Sequence, residues 1–333
     1  MAIRVAVDAM GGDHAPNVII EGAVRAIKSS GGRIQVQLCG SEKVIKPMLE
    51  SHGSPAEIEV FDAPQVIGMG DSPVAAVRSK RNSSIHVGLN NHKESLADAF
   101  ISAGNTGAVG AASLFVLGRL PGVFRPSIPT PFPTTDGVCT ILDVGSNMDS
   151  RPEHLLQFAK MGSVYARTML DIAHPRIGLL SVGEEPAKGN ELVRSAHELL
   201  VNALELNFIG NIEGRDILHQ AADVVVCDGF VGNVILKLAE SLMTALPVMI
   251  ERELVEIKAK SSSANLIKKM LTGLARRFDP EHYGGGSPLL GVEGEVLIMH
   301  GSTTAGAVEQ CIKLATRAAK MNLTSEIQRA LSP

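Results

Sequence analysis

The chain has 333 residues, 45% of them hydrophobic, with 31 basic and 35 acidic residues and a formal net charge of -4. That length supports a large core, and the charge excludes a protein that holds nucleic acid by bulk positive charge. Tryptophan is absent and tyrosine occurs 2 times, so platforms for stacking bases are scarce. No uninterrupted apolar run approaches the roughly 20 residues of a membrane span, and the opening Met-Ala-Ile-Arg-Val-Ala-Val-Asp lacks a signal-peptide pattern.

In chain order, Ile3 to Val7 reads as a central strand running into Asp8-Ala9-Met10-Gly11-Gly12-Asp13-His14-Ala15-Pro16. In open α/β sheets such strand ends line the ligand crevice. Here Asp13 reads either as a helix cap or as a ligand-facing acid, and His14 as an ordinary polar contact or part of the same tip. Pro16 suits the first turn of a helix over Asn17 to Ser29. A strand at Arg33 to Cys39, a helix at Ser41 to His52 and a strand at Ile58 to Phe61 follow. Pro73 opens a helix, and Arg78, Lys80 and Arg81 form a basic cluster, solvated or anion-facing, before a helical stretch to Asn91.

Ala99 to Ser102 reads as a short buried strand ending in Ala103-Gly104-Asn105-Thr106-Gly107. Glycines permit a tight strand-to-helix turn and close approach of a ligand. Asn105 and Thr106 cap the helix that follows or face a crevice, and free amides at a helix start attract anions. Gly118 to Pro133 carries Pro121, Pro126, Pro129, Pro131 and Pro133, a density that denies a regular ladder or helix.

Val138 to Val144 is the next strand, with Asp143 to Asp149 as its polar end, and Pro152 opens a helix to Leu170. Arg176 to Val182 precedes the loop Gly183-Glu184-Glu185-Pro186-Ala187-Lys188-Gly189-Asn190 and another helix. Phe208 and Ile209 form a short strand, after which Arg215 either holds an anion or ties the loop to Glu213 or Asp216. Asp223 to Cys227 is a valine-rich strand ending in Asp228-Gly229-Phe230-Val231-Gly232-Asn233, a tip that mirrors the Asn105 one, before a helix over Val234 to Ile250.

Glu251 to Phe278 has seven basic residues, including Lys260, against three acidic ones, a local excess of +4. Leu266, Ile267, Met270, Leu271, Leu274 and Phe278 recur at helical spacing, so the stretch reads as an amphipathic hairpin with Ser261 to Ser263 at its tip. A strand at Val296 to Met299, the polar tip His300 to Thr304 and a closing helix over Ala305 to Met321 complete the chain.

No cluster has metal-ligand spacing, and neither G-x-x-x-x-G-K-[ST] nor G-x-G-x-x-G occurs. Cys39, Cys139, Cys227 and Cys311 are widely spaced and read as buried thiols of a reducing compartment. The tips offer Asn, Thr, Asp, Lys and backbone amides. Such groups bind a small anion and stabilise charge growing on a carbonyl oxygen. A reaction whose nucleophile is itself a substrate, such as phosphate attacking an acyl carbonyl, needs little beyond alignment.

Asp8 to Pro16, Ile101 to Ala108, Leu142 to Gly145, Val182 to Glu185 with Lys188 to Asn190, and Asp228 to Phe230 with Gly232 and Asn233 together resemble the bacterial phosphate acyltransferases of phospholipid synthesis. The resemblance spans almost the whole chain. It implies transfer of a long fatty acyl group from acyl carrier protein to inorganic phosphate, the product feeding a membrane glycerol-phosphate acyltransferase. The alternative is a short-chain phosphate acetyl- or butyryltransferase using coenzyme A.

The implied fold is a three-layer α/β/α unit, in two lobes around one cleft, similar to isocitrate and isopropylmalate dehydrogenases and phosphate acetyltransferases, with a protruding helical hairpin at 251–278. Also implied are a cytoplasmic homodimer that visits the membrane surface, no cofactor, no metal and no nucleic acid. Placement at successive strand ends puts catalysis on Asn105, Thr106, Lys188, Asp228 and Asn233, and substrate binding on Asp8, Gly11, Gly12, Asp13, His14, Gly104, Asn190, Gly229 and Gly232. The +4 charge of the hairpin puts docking of an acidic carrier protein on Lys268, Lys269, Arg276 and Arg277. Two stretches depart from the family pattern: Tyr283 to Gly291 is one residue longer with Pro288 inside, and Thr303 to Gly306 is less acidic or serine-rich.

Overall fold

A computed structural model describes residues 2–258, 261–277 and 280–332. In chain order the elements begin β1 (Ile3–Asp8), α1 (Asn17–Ser30), β2 (Ile34–Gly40), α2 (Glu42–Ser51), β3 (Ile58–Asp62), α3 (Pro73–Ser79), α4 (Ser84–Lys93), β4 (Ala99–Ser102) and α5 (Thr106–Val116). Next come β5 (Thr130–Pro133), β6 (Val138–Leu142), α6 (Pro152–Met169), β7 (Arg176–Leu180), α7 (Glu191–Val201), β8 (Asn207–Ile212), α8 (Gly214–Leu218), β9 (Val224–Val226), α9 (Gly229–Glu256) and α10 (Ser261–Arg276). The last are β10 (Ser287–Pro288), β11 (Val296–Ile298), α11 (Ala305–Met321) and α12 (Leu323–Leu331).

The chain divides into two compact units. The first comprises Met1–Pro129, Lys160–His174 and Gly284–Pro333; the second comprises Thr130–Ala159 and Pro175–Tyr283. In the first unit, side chains of β1 alternate between two apolar layers, as strand geometry requires. Val5 and Val7 pack with Ile19 and Ile20 of α1, Ile45 of α2 and Val308 of α11. Ala6 faces the opposite layer, with Val77 of α3, Ile85 and Leu89 of α4 and Val109 of α5. In the second unit, Ile217 of α8 and Ile235 and Ala239 of α9 pack with Cys139, Ile141, Ile212 and Val225, while α7 packs against β7 and β8. Helices therefore cover the sheets in α/β/α layers, and strands buried on both faces read as the continuous apolar runs expected of parallel sheets.

The two sheets repeat one topology. Their orders are β10-β11-β4-β1-β2-β3 and β5-β6-β9-β7-β8. They share an order of four parallel strands (β11-β4-β1-β2 and β6-β9-β7-β8), each bordered on one side by a short antiparallel strand, and the first sheet adds β3 as a fifth parallel strand beyond β2. An arginine–aspartate clamp recurs at the strand starts. Arg4 Nη2 donates to Asp98 Oδ1 at 2.8 Å and Nε to Oδ2 at 3.2 Å. Arg176 repeats this with Asp223 at 2.9 and 3.1 Å. In both clamps the arginine's backbone N–H also donates to the same carboxylate, at 2.8 Å.

Several sequence expectations need correction. The proline-rich stretch does contain a strand, β5, because Pro131 and Pro133 sit on a sheet edge, where a missing N–H is tolerated. The strand expected at Phe208 and Ile209 runs on through Gly210 to Ile212, with an irregularity in its pairing between Ile177 and Gly178. The stretch from Pro73 to Asn91 is two helices, α3 and α4, with Ser83 capping the second by accepting from His86 N–H. The helix expected over Val234 to Ile250 runs from Gly229 to Glu256 with Pro247 inside it, so the hairpin's first arm is the end of a 28-residue helix. Ser261 to Ser263 form the first turn of α10 instead of the tip, and α12 was not anticipated. Lys260 and Phe278 lie outside the described residues.

The clamps make a prediction. Burial raises the Asp98 and Asp223 carboxyls, but the paired arginines outweigh it and hold both below the usual carboxylate range. A carboxyl lowered on folding stabilises above its unfolded value, and this is lost as pH falls through the folded one. Asp98→Asn should therefore melt below wild type at about pH 7, and the gap should close near about pH 3. Both partners are about one-third open to solvent, so the loss is small, on the order of 1 kcal/mol. Thermal unfolding at the two pH values checks this, and a gap independent of pH would contradict it.

Candidate functional site

Polar side chains concentrate at the carboxyl ends of the parallel strands. In the first unit, Asp8 closes β1 and is buried. Its Oδ1 accepts from Met10 N–H at 3.1 Å and its Oδ2 from Ser102 Oγ–H at 2.7 Å, and Ser102 Oγ itself accepts from Gly104 N–H at 3.0 Å. Burial pushes the Asp8 carboxyl up, opposed by hydrogen bonds from Ser84, Ser102, Met10 and Gly11. Gly11 packs so tightly on this network that a Cβ there would meet Asp8 Oδ2 and come within 2.7 Å of Gly104 N. The β1 and β4 tips are thus locked together, which brings Asp8, Gly11 and Gly104 into one cluster. Gly12 and Asp13 join a third tip, Asp13 N–H donating to Gly301 O at 2.7 Å. Asp13 does not cap α1, where Pro16 holds the cap position without a side-chain bond. Asp13 and His14 are exposed.

Asn105 is the cap of α5. Its Oδ1 accepts from Ala108 N–H at 3.1 Å, and its Nδ2 donates to Met69 O at 3.0 Å and Asp71 O at 3.1 Å. The amide is therefore committed to the protein, and Asn105 acts by holding the 66–71 loop. That loop is further fixed by Lys80, which donates to Asp71 Oδ2 at 2.5 Å and Val66 O at 2.9 Å. Of the basic cluster, Lys80 is thus structural, and Arg81 lies over the Phe115 ring at 5.8 Å. Thr106, the first residue of α5, is exposed.

The second unit repeats the device. Asp143, directly after β6, is buried. It accepts from Val144 N–H at 2.9 Å, and from Asn147 N–H and Nδ2 at 2.6 and 3.1 Å. Gly229 N–H donates to Asn147 O at 2.9 Å. A Cβ on Gly229 would come within 2.6 Å of Asp143 Oδ2, and one on Gly232 would meet the Asp143 carbonyl. Asp228 caps α9, accepting from Val231 N–H at 2.9 Å. Asn233 is half-buried beside Gly145. Asp228, Gly229, Gly232 and Asn233 therefore gather around Asp143.

Lys188 is exposed on the loop after β7. Asn190 caps α7 by accepting from Val193 N–H at 2.9 Å. Arg215 pairs with Glu213 at 2.9 Å, the loop contact that the sequence offered as one of its two readings. The sequence reading placed Ser102, Asp143 and Asn147 within its strand ends and motifs but gave them no role at the site. A polar residue at or just past the end of an otherwise apolar strand was the available signal for the first two.

All four cysteines are buried. Burial pushes their thiols up, Cys139 to about 12, so none is poised as a thiolate. Among the described residues no group of three or more His, Cys, Asp or Glu side chains could hold a metal.

The surface of α9 and α10 is apolar and open. Phe230 and Leu238 are 62% and 59% exposed, and Leu266 and Met270 of α10 are 60% and 66% exposed. Ile267 and Leu271 are half-buried. By length and composition α9 would suffice to cross a membrane, although Lys237 and Glu240 break its apolar run. Lys268 pairs with Glu251 at 3.0 Å, while Lys269, Arg276 and Arg277 are exposed.

The profile of the family described as "Fatty acid synthesis protein" matches residues 3–326. A phosphate acyltransferase from Salinibacter ruber is 49% identical over 99% of this chain and 98% of its own length. One from Heliobacterium modesticaldum is 46% identical over 98% and 97%. Among solved structures, a phosphotransacetylase from Streptococcus pyogenes aligns over 96% of this chain and 94% of its own at a TM-score of 0.61 and 16% identity. The EutD phosphotransacetylase from Staphylococcus aureus aligns over the same shares at 0.60 and 14%. These structural likenesses concern the α/β/α fold.

Asp8 provides a test of the first-unit cluster. A carboxyl raised on folding contributes stability below its unfolded value, and this is withdrawn as pH climbs through the folded one. Asp8→Asn removes the titration and keeps an acceptor oxygen. Its melting temperature relative to wild type should therefore rise as pH climbs above about 4. Scanning calorimetry reads this directly; parallel curves would mean that Asp8 titrates alike in the folded and unfolded chain.

Proposed function

The chain belongs to the phosphate acyltransferase family, and from that premise we propose that it moves a long-chain fatty acyl group from the thioester of acyl carrier protein to inorganic phosphate. The product is acyl phosphate for phosphatidic acid and phospholipid synthesis. A phosphate oxygen attacks the thioester carbonyl carbon, and the carbonyl electron pair moves onto oxygen. Collapse of that tetrahedral oxyanion breaks the C–S bond and releases the carrier thiol. The reading is carried by the end-to-end match to relatives named phosphate acyltransferase. An exposed lysine on a loop tied down from the core supports it.

Lys188 supplies positive charge to phosphate. Thr106, at the start of α5, and Asn233, just past the first turn of α9, each offer a donor near the positive end of a helix. Asn105, Asn190 and Asp228 act as the caps of α5, α7 and α9, and Asp8, Gly11, Gly12, Asp13, His14, Gly104, Gly229 and Gly232 shape the tips. The same layers are read as akin to those of isocitrate and isopropylmalate dehydrogenases, a likeness of fold that brings no nicotinamide with it.

Lys268, Lys269, Arg276 and Arg277 suit an acidic protein donor better than a small thioester, since complementary charge speeds encounter. The open apolar stripe of α9 and α10 suits a second copy of the chain and a membrane surface. On this reading the protein is a cytoplasmic homodimer, peripherally attached where a membrane glycerol-phosphate acyltransferase takes the product.

The test compares donors of equal acyl length. Thiol release should require phosphate, and kcat/KM should favour palmitoyl carrier protein over palmitoyl-coenzyme A at low salt. The preference should shrink as salt screens the basic face. Preference for short acyl-coenzyme A would favour the alternative transferase, and thiol release indifferent to phosphate would remove both readings.

A further inference from the structure

The loop carrying Lys188 is not held by its own residues alone. We infer that Asn211 and His197, two buried polar side chains on β8 and α7, are positioning residues for Lys188, acting through the Glu185 carbonyl. This rests on the reading of Lys188 as a phosphate-binding cation.

The geometry forms a relay from core to loop. His197 and Asn211 are 9% and 6% exposed. His197 Nδ1 lies 2.9 Å from Asn211 Oδ1, and Asn211 Nδ2 donates to Glu185 O at 3.0 Å. Because Nδ2 faces a carbonyl, Oδ1 must be the atom facing the imidazole, so His197 Nδ1 carries the hydrogen and donates. The His197 ring is steadied edge-on against Phe208, with centroids 5.3 Å apart. Glu185 O has two lone pairs and uses both, accepting also from Lys188 N–H at 2.9 Å. One carbonyl therefore joins the buried pair to the turn that presents the lysine.

The far side of that turn is tied separately. Arg194 Nη1 donates to Gly189 O at 2.7 Å. The Lys188 stem also lies over Gly183, where a Cβ would come within 2.8 Å of Lys188 Cγ. Among the described residues the Lys188 ammonium makes no ion pair within the chain, so these ties fix its backbone and stem while leaving its charge for a ligand.

A buried amide with one donor and one acceptor engaged is costly to break, and among the described residues its side chain connects outward to this loop. A purely structural pair would have no reason to end on the carbonyl that closes the Lys188 turn. The relay was invisible in the sequence because its members lie 14 residues apart with no local pattern.

The test is a double-mutant cycle read in phosphate and acyl-donor saturation curves. Asn211→Asp keeps the acceptor for His197 and sets an oxygen against Glu185 O. It should raise the phosphate KM about tenfold, as a misplaced binding group does, with the acyl-donor KM nearly unchanged. Lys188→Ala should raise the phosphate KM at least as much, and adding Asn211→Asp to it should change that KM no further, since residues acting through one group are not additive. Arg194→Met, which frees the exposed end of the turn without touching the core, should reproduce a weaker rise and covers the case in which Asn211→Asp fails to fold. If Lys188→Ala leaves the phosphate KM unchanged, the phosphate reading of Lys188 is wrong and the relay falls with it. If Lys188→Ala acts but Asn211→Asp has the same effect in both backgrounds, or only lowers the melting temperature, the pair is structural and the inference alone is overturned.

Discussion

A buried carboxyl at the end of a strand is the constraint on which each unit depends. Asp8 in the first unit and Asp143 in the second are both almost wholly removed from solvent. A group of that kind is tolerable only when its oxygens are occupied. Asp8 draws its partners from its own tip and from Ser102 on the neighbouring strand. Asp143 draws them from the backbone and side chain of its own loop, and that loop's Asn147 carbonyl holds Gly229 on the next strand's tip. Slippage of either tip would strand a polar atom in the core. Glycines complete the fit, because no Cβ can enter between Gly11 and Gly104 or between Gly232 and the Asp143 carbonyl.

With the tips locked, the division of labour follows from the shared topology. Strand starts are stapled by Arg4–Asp98 and Arg176–Asp223, and strand ends are left to loops, which is where a rigid scaffold presents function. Three of those loops end in helices capped by Asn105, Asn190 and Asp228. Each cap consumes the side-chain oxygen that a ligand would otherwise use. The first turns of such helices carry N–H groups with no intrahelical partner, which favour an anion.

The fold was legible wherever burial was one-sided or total. Strands such as Val5–Val7 and Val224–Val226 are apolar because both faces are covered, and helices such as α7 show their period plainly. The errors came where tertiary context overrode local chemistry. Pro131 and Pro133 are tolerated because β5 is an edge, and Pro247 is carried inside a long helix. The tips were legible as glycine-bracketed polar clusters, but their internal roles were not. Asn105 reads like an oxyanion donor until Met69 and Asp71 are seen to accept both its N–H groups. The doubled topology was hidden because it lives in strand order and in two Arg–Asp pairs separated by 94 and 47 residues.

The account makes phosphate itself the nucleophile. No cysteine is poised to attack, Asp8 is enclosed, and Asp228 is engaged as a cap. The most direct measurement is rapid-quench thiol release from palmitoyl carrier protein mixed with enzyme in the absence of phosphate. Direct attack predicts no burst and no acyl group on the quenched protein. A burst approaching one thiol per enzyme, with a matching acyl adduct by mass spectrometry, would contradict it.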